Sequence, residues 1–298
     1  MGAGATARAG GRLTDACDVP EAGVLTIVAT PIGNLGDLSP RAVEALGKAD
    51  VIACEDIRHS RKLLTHAGVT GPRLIAVHDH NEADQVRTIL SLIERGKDVV
   101  LISDAGTPGI SDPGQRVVAA VASAGHRIEV VPGPSAVVAA LVASGLPTHR
   151  FCFEGFLPRK GSERTRRLQT ISGAGCTTVL YEAPHRLART LNDLIEVCGP
   201  LRQVVLVREL TKLHEEVWRG TLAGAVDHVE SMPPRGEYVV VLGSGPPETI
   251  DDDTITRALT ARIDAGEDKK AAVAAVASSL SVPKRRVYDL ALDLASKS

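Results

Sequence analysis

Aromatic residues make up only 2% of the 298-residue chain, so stacking of bases on aromatic platforms is not a general mode of recognition here. No excess of charge stands out either. The formal net charge is −2, which excludes a whole-protein basic field for a polyanionic partner. The five cysteines, Cys17, Cys54, Cys152, Cys176 and Cys198, are odd in number and never spaced as C-x-x-C, which argues against a disulfide framework or a zinc knuckle. His78-x-His80 has no further ligands at suitable spacing, so no metal is expected. Long apolar runs are missing. The best candidate, Val137 to Leu146, is too short for a bilayer and is broken by Ser144 and Gly145. The first residues are rich in Gly and Ala, with Arg8 and Arg12 and no apolar core, and read as a tail (1–21) rather than a secretion signal. A cytoplasmic location is the resulting expectation.

What is present is a pattern of short β-branched runs and helical stretches, long enough for two domains. In 22–132 the runs are Val24–Ala29, Val51–Cys54, Leu74–Val77, Val99–Ile102 and Ile128–Val131. Between the third and fourth, Val86, Ile89, Leu90 and Ile93 recur at helical spacing, with Asn81 a candidate N-cap and Gly96 a stop. Such alternation predicts an α/β unit with a mostly parallel sheet. In 133–245 the runs Phe151–Phe156, Thr178–Tyr181, Gln203–Val207, Glu216–Arg219 and Tyr238–Leu242 predict a second α/β domain, with a mixed sheet because some connections are short. A Gly-, Pro- and Asp-rich linker and a helix–turn–helix-like appendage are expected in 246–298.

The loops after the first five runs are polar and rich in Gly and Pro, at the strand ends where open α/β sheets bind ligands. In Ser103–Gly114 (SDAGTPGISDPG) glycines allow close backbone approach and prolines fix the loop. The loop matches neither G-x-G-x-x-G nor a Lys-bearing phosphate loop, so NAD and ATP are not indicated. A tight strand-to-helix connection is the plainer account of it. In Pro132–Ala136, Ser135 either caps the next helix or helps that helix meet a ligand carboxylate. Glu55-Asp56, followed by Arg58, His59, Arg61 and Lys62, suits general base catalysis beside phosphate contacts, and equally a solvated helix start. The run Arg159 to Arg167 can contact several phosphates or form a solvated face. His185, in Tyr181-Glu182-Ala183-Pro184-His185-Arg186, is open to three roles: base, phosphate contact or helix-start residue.

With these segments in hand the chain resembles the ribosomal RNA small subunit methyltransferase I family of the tetrapyrrole-methylase-like superfamily. The resemblance rests on Val28–Ser39 (VATPIGNLGDLS), Glu55–Leu64 (EDIRHSRKLL), Ser103–Gly114, Pro132–Ala136, Glu154–Pro158 (EGFLP), Glu182–Arg186 and Arg208–Lys212 (RELTK), and spans about 24–243 in order. It implies two α/β domains with S-adenosylmethionine in the cleft between them, a homodimer, and 2′-O-methylation of a cytidine in the decoding region of 16S rRNA in the 30S subunit. It implies cofactor contacts at Pro31, Asp104, Ala105, Gly106, Thr107, Ile110, Ser135, Ala136, Tyr181, Glu182, Ala183, Leu210, Gly236 and Glu237. Glu55, Asp56, His59 and His185 stand as candidate bases, with no choice among them. Arg58, Arg61, Lys62, Lys160, Arg164, Arg166, Arg167 and Arg186 stand as phosphate contacts. Two other expectations are kept. One is a related methyltransferase acting on a tetrapyrrole or a translation factor, for which the basic segments have no use. The other is a non-catalytic ribosome-binding factor using the C-terminal helices.

Overall fold

The computed structural model describes residues 21–245, 251–280 and 282–296. The expected tail, apart from Glu21, and residues 246–250 of the expected linker lie outside the described residues.

The first sheet is wholly parallel. Its strands β1 (Leu25–Val28), β2 (Val51–Cys54), β3 (Arg73–Ala76), β4 (Val99–Leu101) and β5 (Ile128–Val131) run in the order β3-β2-β4-β1-β5. Every residue of β2 and β4 is buried, as a sheet covered on both faces requires. On one face lie α1 (Pro40–Lys48) and α2 (Ile57–His66), through Ala42, Leu46, Leu63 and Leu64. On the other lie α3 (Glu82–Glu94) and α4 (Gln115–Ser123), through Ile89, Ile93, Val117 and Val121.

Asn81 stands at the N-cap of α3 as expected, but its side chain is used elsewhere. Asn81 makes no side-chain cap bond to the helix. Its Oδ1 accepts from the His78 amide at 2.8 Å and its Nδ2 donates to the Ala76 carbonyl at 3.0 Å, so it ties the loop after β3 instead. The next residue, Glu82, is buried and caps a different helix. Its Oε1 accepts from the amides of Gly114 at 2.9 Å and Arg116 at 2.8 Å. The N-cap of α4 is a glycine with no side chain to do this, so α3 satisfies amides that would otherwise lack a partner. Thus α3 and the Ser103–Gly114 loop are locked together.

The second sheet is mixed. It contains β6 (Phe151–Phe156), β7 (Thr177–Glu182), β8 (Gln203–Arg208), β9 (Glu216–Thr221) and β10 (Tyr238–Leu242), in the order β6-β7-β10-β8-β9. Only β6 and β7 pair in parallel. The helices α6 (Ser162–Ser172), α7 (Pro184–Cys198) and α8 (Leu222–Ser231) cover one face. The other face is covered by α5 (Ala136–Ser144), whose Val137, Ala140 and Leu141 pack on Val179, Val205, Val239 and Val241. The thiols of Cys152 and Cys176, unremarkable in sequence, lie 3.1 Å apart across the β6–β7 edge.

At the C-terminus three helices share one small core: α9 (Asp252–Asp264), α10 (Lys269–Ser279) and α11 (Lys284–Ser296). The helix–turn–helix pair is α10 and α11, and α9 supplies Ile255 and Leu259 beneath it. Among the described residues no helix is long and apolar enough to cross a membrane.

Candidate active site

Parallel strands end their polar loops on one edge, and a cavity of about 320 Å³ opens there between the two sheets. The first sheet's side is lined by Ile32, by Ala105, Gly106 and Thr107, and by Ile110, Ser111 and Asp112. Ser135 and Ala136 at the start of α5 add to it. The second sheet's side is lined by Phe156 of β6, Tyr181 to Pro184 at the end of β7, Val207 and Leu210, and Glu237 to Val239 at β10.

The Gly/Pro loop has a defined shape because its backbone is tied down. Thr30 and Gly106 exchange amide-to-carbonyl bonds of 2.8 and 3.1 Å. The Thr30 hydroxyl donates to the Ser103 carbonyl at 3.2 Å. Gly106 has φ +81°, a left-handed conformation that side chains resist. A Cβ there would also meet Ile32 Cγ2 at 3.4 Å. Among the described residues, three that are not glycine share this left-handed region, Ser111 (φ 61°), Glu209 (φ 49°) and Thr211 (φ 66°). Ser111 lines the cavity, and the other two flank lining Leu210. Strain of this kind, on the order of 1–3 kcal/mol per residue, concentrates at ligand sites.

The two halves touch at Gly33, where a Cβ would lie 2.5 Å from Lys212 Cγ and 3.1 Å from the Leu210 carbonyl. Lys212 in turn bonds Glu209 at 2.9 Å and Glu237 at 2.8 Å. One wall of the cavity is therefore braced by an ion-pair network.

Beside the cavity, five carboxylates from three loops interact: Glu55, Asp56, Asp79, Asp104 and Asp112. Burial, reinforced by Asp112, Asp104 and Asp79, pushes Glu55 up to about 7. Burial first, then Asp104 and Asp79, pushes Asp112 up to about 6 against the opposing hydrogen bond from Ser103. Asp56 goes the other way. Its carboxylate accepts from the Arg58 amide at 2.6 Å and the His59 amide at 3.4 Å, and the Arg58 bond holds its pKa below the usual range. Asp56 is the N-cap of α2. Among the described residues, no three His, Cys, Asp or Glu side chains are grouped to hold a metal ion.

The sequence profile of the Tetrapyrrole (Corrin/Porphyrin) Methylases matches residues 24–226. Ribosomal RNA small subunit methyltransferase I of Synechocystis sp. is 44% identical over 275 residues, which cover 91% of this chain and 98% of that protein. Its namesake from Xylella fastidiosa is 49% identical over 222 residues, 74% of this chain and 81% of that protein. The chain belongs to the ribosomal RNA small subunit methyltransferase I family. Among solved structures, uroporphyrin-III-C-methyltransferase from Thermus thermophilus superposes with a TM-score of 0.51 at 26% identity, over 74% of this chain and 94% of that one. A complex of the same enzyme with S-adenyl homocysteine gives a TM-score of 0.53 at 22% identity, covering 74% and 97%, and shows a shared fold.

Within this family's frame the expected cofactor positions divide. Ala105, Gly106, Thr107, Ile110, Ser135, Ala136, Tyr181, Glu182, Ala183, Leu210 and Glu237 line the cavity. Pro31, Asp104 and Gly236 do not. Asp104 instead accepts from the Asp56 amide at 3.2 Å, joining two loops. A Cβ on Gly236 would lie 2.5 Å from Glu209 Cδ, so that glycine makes room for the brace. Glu182 is buried, with its carboxylate accepting from the Thr190 hydroxyl at 2.6 Å and pairing with Arg186 at 3.2 Å; only its backbone is left for a ligand.

Two of the expected phosphate contacts are largely committed inside the fold. Arg164 is 4% exposed and its guanidinium is committed to Asp193, Thr190 and the Pro158 carbonyl. Arg186 is mostly buried against Glu182 and the Leu157 carbonyl. Both face inward because α6 and α7 bury one side each on the sheet. Arg58, Arg61, Lys62, Lys160 and Arg166 are exposed, as is Arg167, which pairs with Glu154 at 3.1 Å. His59 is exposed on α2, and His185 does not line this cavity.

Sequence reasoning passed over Asp112 and Tyr238 as lining residues. Asp112 was legible in part, since it sits in the Gly/Pro loop. Tyr238 carried no local signal, because β10 reaches the site only by pairing between β7 and β8.

Proposed function

We propose that the protein transfers a methyl group from S-adenosylmethionine to the ribose 2′-hydroxyl of a cytidine in the decoding region of 16S rRNA, acting on the 30S subunit as a cytoplasmic homodimer. The carrying observation is the cavity between the two sheets, built from the loops whose sequence marks the family. Its volume lies within the range of small-ligand sites. Its lining suits a cationic amphiphile: apolar Ile32, Val207, Leu210 and Val239 beside the carboxylates of Asp112 and Glu237. The Gly106 cradle admits close backbone approach. Ala105, Gly106, Thr107, Ser135, Ala136, Tyr181, Ala183 and Leu210 would hold the cofactor, which supplies an electrophilic methyl group on a sulfonium.

The chain's own residues then have two tasks. Positioning is the larger and contributes roughly 7–11 kcal/mol when the reacting atoms are held in line. The loops braced by Thr30, Asp104 and the Lys212 network perform it. The second task is to take the hydroxyl proton. None of the four candidate bases lines the cavity itself; Glu55 is the one that touches it through the carboxylate cluster shared with lining Asp112, and burial there brings it toward neutrality, where part of it is ionised. Asp56 is spent on its cap. Exposed Arg58, Arg61 and Lys62 follow on α2 and would draw phosphates toward the same edge. A second copy would cover Val130, Val138 and Val142, which are 55%, 53% and 68% exposed.

The deciding experiment is methyl transfer from labelled S-adenosylmethionine to 30S subunits lacking the modification, with mass mapping of the product. Label on one cytidine ribose is the expected result. Cofactor binding without label would move the acceptor away from this RNA, and absence of both would overturn the methyltransferase reading.

A further inference from the structure

Past the first turn of α7 lies a separate, smaller cavity of about 250 Å³, lined by Arg159, Arg164, His185, Arg186 and Arg189. Consecutive residues at the start of α7 line the two cavities. Pro184 lines one and His185 the other, and consecutive Cα atoms are about 3.8 Å apart.

Two of its cations are fixed walls. Arg164 and Arg186 are held by Asp193 and Glu182 and by the carbonyls of Pro158 and Leu157. The others are uncommitted. The side chains of Arg159 and His185 make no hydrogen bond or ion pair among the described residues, and Arg189, 62% exposed, reaches Asp193 only at 3.9 Å. Four guanidiniums thus face two carboxylates, which leaves two positive charges unmatched around the cavity. The helix adds to this field. α7 is 15 residues long, starts with Pro184 and has no side-chain cap, so the positive end of its dipole borders the cavity.

We propose that this cavity binds one phosphodiester of the RNA, next to the nucleotide whose ribose enters the larger cavity. The inference rests on the methyl-transfer reading. S-adenosylmethionine carries no phosphate, so a phosphate bound here would come from the acceptor. Planar guanidiniums with paired donors match phosphate oxygens in geometry as well as charge. The site gives the acceptor a fixed point one residue beyond the methyl-donor pocket, which is the positioning that transfer to a single ribose needs.

The test uses the full chain and the exposed pair, Arg159→Ala with Arg189→Ala. The His185 ring signal, followed by NMR during titration with inorganic phosphate, is expected to shift saturably in the wild type and not in the double variant. With 30S subunits, the variant should show KM raised about tenfold or more and a salt dependence shallower by about 0.9 in the log–log slope, the loss of one phosphate contact. Affinity for S-adenosylmethionine should not change. A His185 signal indifferent to phosphate, or unaltered KM and salt slope, overturns the proposal. A wild type that binds phosphate at His185 yet does not methylate 30S subunits would overturn RNA as the source of the anion, together with the proposed acceptor, while the oxyanion site itself stood.

Discussion

The two sheets bring opposite charge to one edge of the molecule. The parallel sheet's loops gather Glu55, Asp56, Asp79, Asp104 and Asp112. The mixed sheet's helices gather Arg159, Arg164, Arg186 and Arg189 around the start of α7. A net charge of −2 conceals this division entirely. The acids are crowded, and burial with mutual repulsion raises two of them into the range of proton transfer. The bases are in part neutralised by Asp193 and Glu182 and serve as architecture.

That contrast can be broken most severely at Arg164. Arg164→Ala takes the close ion-pair partner from Asp193 and empties a buried site, and a loss of about 3–5 kcal/mol in unfolding free energy is expected by denaturant titration. Arg166→Ala, two residues on and exposed, should stay within about 0.5 kcal/mol. Equal effects would mean that α6 does not use Arg164 as a strut.

On the acidic side, Glu55→Gln should slow methyl transfer by about 10²–10⁴-fold with cofactor affinity retained. The wild-type rate should rise as pH passes through about 7, where Glu55 ionises, and the variant should lose that inflection. A variant that kept the inflection would shift the base to Asp112, which titrates near 6.

Gly106→Val tests the cradle. A β-branched residue at φ +81° costs roughly 1–2 kcal/mol, so cofactor affinity measured by calorimetry should fall about tenfold or more, with little change in RNA binding. An unaltered affinity would remove the loop from the cofactor site.

The smallest expected effect is on stability. The folded pKa of Glu55 is raised above its ordinary value of 4.5, so the folded state favours the protonated form. The associated stability is fully present below about 4.5 and is lost as pH rises through about 7. Glu55→Gln should therefore stabilise the protein more at about pH 8 than at about pH 5, by on the order of 1 kcal/mol after solvent screening of this partly exposed group. Equal stabilisation at the two pH values would show that burial and the neighbouring carboxylates do not raise Glu55.

Much of the architecture was legible because it is local. Runs such as Val51–Cys54 and Tyr238–Leu242 are strands in the structure, since β-branched residues bounded by turn residues have few other options. The Gly/Pro loop was legible because left-handed glycines must be written into the sequence at the positions that need them. The basic run Arg159 to Arg167 was legible only as a run. Its members separate into Arg159 at the smaller cavity, Arg164 inside the fold and Arg166 in solvent, because helical periodicity turns adjacent cations to different faces.

By itself, then, the sequence determined the strands, the special loops and the family, because each depends on neighbouring residues or on motifs read in order. Tertiary structure alone decided which charges matter and how. The pairing of β10 between β7 and β8 brings Tyr238 and Glu237 to the cavity, and Glu82 of α3 caps α4 across the loop. The Glu55 carboxyl is raised to about 7 only because the fold buries it and two other loops bring Asp112 and Asp104, and then Asp79, beside it. The reason is that burial and Coulomb interaction depend on distance in space, which separation along the chain does not reveal.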